Sequence, residues 1–130
     1  MSIVAVTRLH VRSVSFFPQF FWYTLKTSRQ AKYTPGNRGV RVRRGEGLAF
    51  WTLSIWQTIE AMKKFMFALP HKQAMQKLPY WCDEAAFADW EQSAAEFPSW
   101  DQAAEKLRAT GQLAKVLHPS ERQKAGEIVT

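Results

Sequence analysis

The chain has one cysteine, no complete phosphate-binding glycine motif, no apolar run near the length of a membrane span, and a single acid in its first fifty positions. Each lack removes a class of reading. Cys82 alone cannot close an intramolecular disulfide, and no Cys/His cluster has the spacing of a structural zinc site. A reduced, intracellular setting is the simpler expectation. Cys82 has no cation beside it in sequence to stabilise a thiolate, so it reads as a buried, inert thiol. Gly36-Asn37-Arg38-Gly39 completes neither a P-loop nor a dinucleotide fingerprint. The aromatic stretch Phe16 to Leu25 is well short of the ~20 apolar residues that span a bilayer, and it holds Pro18 and Gln19. Arg8 and Arg12 interrupt the apolar start, unlike a signal peptide. The expectation is a soluble, cytoplasmic protein without a membrane span.

What the chain does have is aromatic surface. Of its 130 residues 46% are hydrophobic, including six Trp, nine Phe and three Tyr. That is enough apolar area to offset the entropy of ordering. It is also more than one small core holds, so some rings are expected to face a partner or a ligand pocket. The length suits one domain, with residues 1–115 folded and 116–130 a polar tail. Net charge is +7, and its surplus lies in residues 1–50, where nine Lys/Arg face only Glu46.

Periodicity gives the order of elements. Ile3 to Val11 alternates and is rich in β-branched residues, which predicts a strand. Ser15 and Pro18 open a helix from about Phe16 to Lys32, closed by Thr34-Pro35-Gly36-Asn37. Gly39 to Arg44 and Leu48 to Trp56 flank Gly45-Glu46-Gly47 as a hairpin, the first strand half exposed and the second buried on both faces. Thr58 caps a second helix that breaks at Pro70 and resumes from His71 until Pro79. Glu84 to Glu91 reads as a fourth strand, and Ser99 to Gly111 brackets a third helix. The pattern is α+β, a ferredoxin-like βαββαβ plan with an antiparallel sheet and an extra C-terminal helix.

The ordered series Leu48-Ala49-Phe50-Trp51-Thr52-Leu53-Ser54-Ile55-Trp56, Glu60-Ala61-Met62-Lys63-Lys64-Phe65, Pro70-His71-Lys72-Gln73-Ala74-Met75 and Trp81-Cys82 resembles the dimeric α+β barrel proteins that include spheroidene monooxygenase and related uncharacterised monooxygenase-like proteins. The resemblance covers roughly residues 46–92. It implies a homodimer with sheets placed face to face and, in each subunit, a cavity between sheet and helices. In that group such cavities serve haem enzymes, cofactor-free oxygenases and proteins without known chemistry.

Against that background His71 is the first candidate: at a helix break it can ligate a haem iron, act as a base, or hydrogen-bond the carbonyls freed near Pro70. Met75, one turn on, could complete a His/Met pair or simply pack. Trp51, Trp56 and Trp81 could line a pocket for a flat apolar molecule, or belong to the core. Arg41 and Arg43 could meet an anionic substrate group. With Arg38 and Arg44 they also permit a nucleic-acid reading, although alternating Val and Arg suits any exposed edge strand. His10 and the carboxylates of Asp83, Glu84, Asp89 and Glu91 form an acid/base site only if they converge. The functional expectation is a monooxygenase-like protein binding an apolar or aromatic small molecule. The alternatives are a non-catalytic dimeric binding or assembly module and, third, a basic nucleic-acid-binding domain.

Overall fold

The computed structural model describes residues 1–130. Strand β1 (Ser2–Val11) leads through a 3-10 turn (Val14–Phe16) into helix α1 (Phe17–Tyr33). The hairpin β2 (Asn37–Arg44) and β3 (Ala49–Trp56) follows, then α2 (Ile59–Met66), α3 (His71–Trp81), β4 (Cys82–Gln92) and α4 (Trp100–Thr110). A short β5 (Gln112–Leu113) and α5 (Glu121–Lys124) complete the chain. The sheet runs β2-β3-β1-β4-β5, with every neighbouring pair antiparallel. This is the ferredoxin-like order the periodicity predicts.

Local chemistry explains most boundaries. Thr58 and Ser99 each accept a hydrogen bond from the backbone N–H three residues on, which satisfies an orphan donor of the helix start. Gly36 takes φ +91°, a left-handed value that favours glycine, and turns the chain from α1 into β2. Two details differ from expectation. Ser13, not Ser15, caps the first helical turn, its hydroxyl accepting from the Ser15 N–H. Helix α3 also continues through Pro79 to Trp81. The proline lacks only the N–H that would serve the Met75 carbonyl, and its own carbonyl, in the last turn of the helix, accepts from the Leu117 N–H at 3.0 Å.

The two faces of the sheet have different cover. On the back face Val4, Val6, Trp51, Leu53, Ile55, Ala86 and Ala88 pack against Ala103 and Leu107 of α4, with Phe97, Trp100 and Ile128 at the margin. Trp51 is therefore core, under α4, and not part of a pocket wall. Arg41 and Arg43 also belong to this side: their guanidinium groups lie 4.2 Å from the Phe97 ring centre and 5.3 Å from that of Trp100. The back face is the one two sheets would share in the expected barrel, and here the chain's own α4 closes it.

The polar segment 116–130 packs back onto the fold instead of trailing. Val116 is buried beside Trp81 and Cys82, and Ser120 N–H donates to the Asp83 carbonyl. Ser120 Oγ donates to Glu84 Oε2 at 2.7 Å, while Arg8 reaches the other carboxylate oxygen at 2.9 Å. Burial alone would raise the Glu84 carboxyl, but the hydrogen bonds from Ser120 and Arg8, with the charges of Arg8 and His10, hold it below the ordinary 4.5. Ser120→Ala is expected to cost about 1 kcal/mol at neutral pH. A depressed carboxyl stabilises above its unfolded pKa and loses that contribution as pH falls through its folded value. The cost should therefore shrink below 4.5, as urea titrations at both pH extremes would show.

Candidate functional site

A cavity lies between the front face of the sheet and the layer of α1, α2 and α3, and its origin is a size pattern along the strands. Front-facing residues of β1 run Ile3, Ala5, Thr7, Leu9, and those of β3 run Trp56, Ser54, Thr52, Phe50 in register beside them. Each strand is large, small, small, large. Helix α1 adds more small side chains above the sheet, with Thr24, Thr27, Ser28 and Ala31 following Phe20 along the inner wall. Small side chains facing small side chains cannot fill the space between the layers. The result is an open cavity of about 640 Å³ with a mostly apolar lining, within the roughly 300–1,000 Å³ range of small-molecule sites.

Both ends are aromatic. At one end Phe20, Phe50 and Trp81 pack together, Phe20 and Trp81 edge to face at 6.0 Å, and Trp81 Nε1 donates to Gln19. At the other, Trp56 is fully buried, stacks on Phe65 at 5.0 Å, and donates through Nε1 to Ser54 Oγ at 2.9 Å. The floor carries two rows across β2, β3, β1 and β4: Val42, Thr52, Thr7, Phe87, then Val40, Ser54, Ala5, Asp89. Hydroxyls at mid-floor could orient a ligand's polar groups.

His71 stands in the cavity wall beside the Phe65 ring, with ring centres 4.5 Å apart. Its Nδ1 lies 3.1 Å from the Met66 carbonyl. A carbonyl only accepts, so Nδ1 carries the proton and Nε2 is the free lone pair in the neutral ring. Burial lowers the pKa of His71, with the Met66 hydrogen bond opposing it in part. The ring is therefore neutral at pH 7. His71 thus lines the cavity while its Nδ1 satisfies a carbonyl freed near Pro70. Gln30 of α1 fixes the position: its Oε1 accepts from the His71 backbone N–H at 2.8 Å, and its Nε2 donates to the Phe65 carbonyl at 3.0 Å.

The structure brings His71, Met75, Trp56 and Trp81 to the cavity wall. Met75 is partly exposed there, not packed in a core. Trp51, Arg41 and Arg43 lie on the other side of the sheet because alternation along β2 and β3 sends them there. All four arginines of the basic patch have partners within the chain: Arg44 donates to the Gly47 carbonyl and Arg38 to Ser2 Oγ, besides the two ring contacts. The His10 and Asp83 side chains do meet, at 2.6 Å, beside the Arg8 and Glu84 pair. This cluster tethers the C-terminal segment and lies outside the cavity. Burial and the neighbouring Asp83 carboxylate push the Cys82 thiol up to about 12, so it stays protonated. Sequence reasoning missed Thr7, Thr52, Ser54 and Gln30. The large-small-small-large alternation was the signal for the first three.

Comparisons with known proteins agree on the architecture. The family model described as "Domain of unknown function (DUF3291)" matches residues 18–115. No curated protein matches by sequence. Among solved structures, SnoaB, a cofactor-independent oxygenase from Streptomyces nogalater, superposes with a TM-score of 0.61 at 12% identity, over 75% of this chain and 98% of that one. Rv0793 from Mycobacterium tuberculosis gives 0.65 at 7% identity, over 72% and 97%. A Nitrosomonas europaea protein assigned as an antibiotic biosynthesis monooxygenase gives 0.63 at 13%, over 71% and 90%. The chain shares the monooxygenase-like α+β fold, and identities this low carry the fold alone.

Proposed function

We propose that this chain, which belongs to the DUF3291 family, is a monooxygenase-like protein that binds a flat apolar or aromatic molecule in the cavity and uses His71 as its base. The observation that carries this reading is a neutral imidazole with an unengaged Nε2 in the wall of an apolar cavity. Such a group can take a proton from a phenol or from a CH2 made acidic by a neighbouring carbonyl. The anion left behind is electron-rich enough to reduce dioxygen. When the substrate supplies all four electrons, one CH2 and one O2 become one C=O and one water, with no external reductant. The apolar walls favour the neutral substrate and exclude competing water.

Binding is the first test. A tricyclic aromatic ketone should quench the cavity tryptophans saturably, and Thr52→Phe, which places a ring on the small mid-floor position, should weaken binding by at least tenfold, about 1.4 kcal/mol. Equal binding by both proteins would place the ligand elsewhere.

Haem is the second reading, favoured by the same Nε2. Nδ1–H on a backbone carbonyl is the usual arrangement behind an iron-ligating histidine, so His71 fits as a ligand and the group would supply oxygen activation. His71 would hold the group, and Met75, one turn along the same helix, would line the site beside it. A Soret band that shifts with added hemin and is lost in His71→Ala supports this reading; unchanged free hemin in both proteins removes it. The expected assembly remains a homodimer, for which sedimentation equilibrium should return twice the 15.0 kDa chain mass.

A further inference from the structure

The helical layer over the cavity has an uneven chemistry that the cavity does not use. Together α1, α2 and α3 hold seven Lys/Arg and one carboxylate, Glu60. The same layer turns large apolar side chains outward: Trp22 is 58% exposed and Leu25 63% on α1, and Phe67 is 66% and Leu69 62% exposed in the turn between α2 and α3. Both groups lie on the same helical layer, since Gln30 of α1 donates to the Phe65 and Ala68 carbonyls and so ties that turn to α1. Arg29 continues the α1 stripe one turn beyond Leu25, and Lys26 lies 5.5 Å from the Trp22 ring. Exposed apolar patches ringed by cations are uncommon on a surface that meets only water.

We infer that this helical layer is a docking surface for anionic lipid bilayers. Cations that attract a negatively charged leaflet surround aromatic and aliphatic side chains that can enter it, the composition of an interfacial membrane contact. Nucleic acid would match the charge but would not desolvate Leu25, Phe67 and Leu69. A second copy docked on the same surface would set like charges against each other. No helix is long and apolar enough to cross a membrane, so the contact is peripheral. Because the layer is also the outer wall of the cavity, docking would bring the cavity against the phase in which an apolar molecule concentrates. The inference does not depend on His71 or on any turnover.

The test is co-sedimentation of the full chain at about 0.15 M salt with phosphatidylcholine vesicles, with and without roughly one third phosphatidylserine. Two pairs of exposed positions serve as variants, Arg29→Glu with Lys64→Glu and Phe67→Ser with Leu69→Ser, each checked for an unchanged far-ultraviolet spectrum. Retention is expected only on the anionic vesicles. The charge pair should weaken it by about thirtyfold or more, at roughly fivefold per lost cation, and the apolar pair by at least about tenfold. Both pairs should still bind the cavity probe, and His71→Ala should keep its vesicle binding, so this inference and the proposed function fail separately. No retention, equal retention on neutral vesicles, or retention untouched by the apolar pair and matched by RNA would overturn it. So would a concentration-dependent dimer abolished by the same variants.

Discussion

Replacing His71 with alanine is expected to lower probe-dependent oxygen uptake by roughly 10²–10⁴-fold, the range lost with a positioned general base, while probe binding stays within a few-fold. The asymmetry follows from where the ring sits. His71 is one of many side chains lining the cavity, most of them apolar, so its removal takes away little contact area. It does remove the unengaged Nε2, and the other imidazoles, His10 and His118, lie outside the lining. Gln30→Ala is a useful companion. It leaves the imidazole present but frees the α2 to α3 turn that Gln30 holds through the His71 N–H and the Phe65 carbonyl. A positioning role predicts a smaller fall in kcat with little change in KM. Oxygen uptake measured against probe concentration separates the two; equal uptake by wild type and His71→Ala would remove His71 from the chemistry.

Trp56→Ala is expected to destabilise the fold by about 3–5 kcal/mol, the cost of truncating a fully buried large aromatic. Trp56 has no exposed surface, stacks on Phe65, and packs with Ala31 and Met62 to join β3, α1 and α2. Its loss also leaves Ser54 Oγ without the indole donor. The hole opens into the existing cavity, so neighbouring side chains have little means of closing it. Urea unfolding should show a lower midpoint at an unchanged slope. A loss below about 1 kcal/mol would mean that the layers hold together without this joint.

The ferredoxin-like order was legible because β1 and β2 alternate, β3 is an apolar run bounded by a glycine turn, and Thr58 and Ser99 cap α2 and α4. Leu48 to Trp56 reads as buried on both faces, but only the face under α4 is fully so; Phe50, Thr52 and Ser54 on the other are half-buried along the cavity floor. Pro79 misled, since within the last turn of a helix a proline removes a single bond, and the returning segment supplies the Leu117 N–H to the carbonyl of Pro79 itself. That return was itself illegible. Its anchors are polar pairs such as Ser120 with Glu84, which no apolar period reports. At the site, His71 could be named because a histidine at a helix break is visible in sequence. Trp51, Arg41 and Arg43 were misplaced for a different reason: period two tells which residues share a face but not which face meets the helices and which meets α4.

If a neutral His71 is the base in the apolar cavity, its protonation controls turnover, and the pH dependence of probe-driven oxygen uptake reads that protonation. Burial places the His71 pKa below its ordinary 6.5. A base must be unprotonated to act, so uptake should be level through neutral pH and fall only at pH below 6.5, and the residual rate of His71→Ala should lack that acid limb. An acid limb retained unchanged in His71→Ala, or uptake that rises as the ring takes up its proton, would contradict that role for His71.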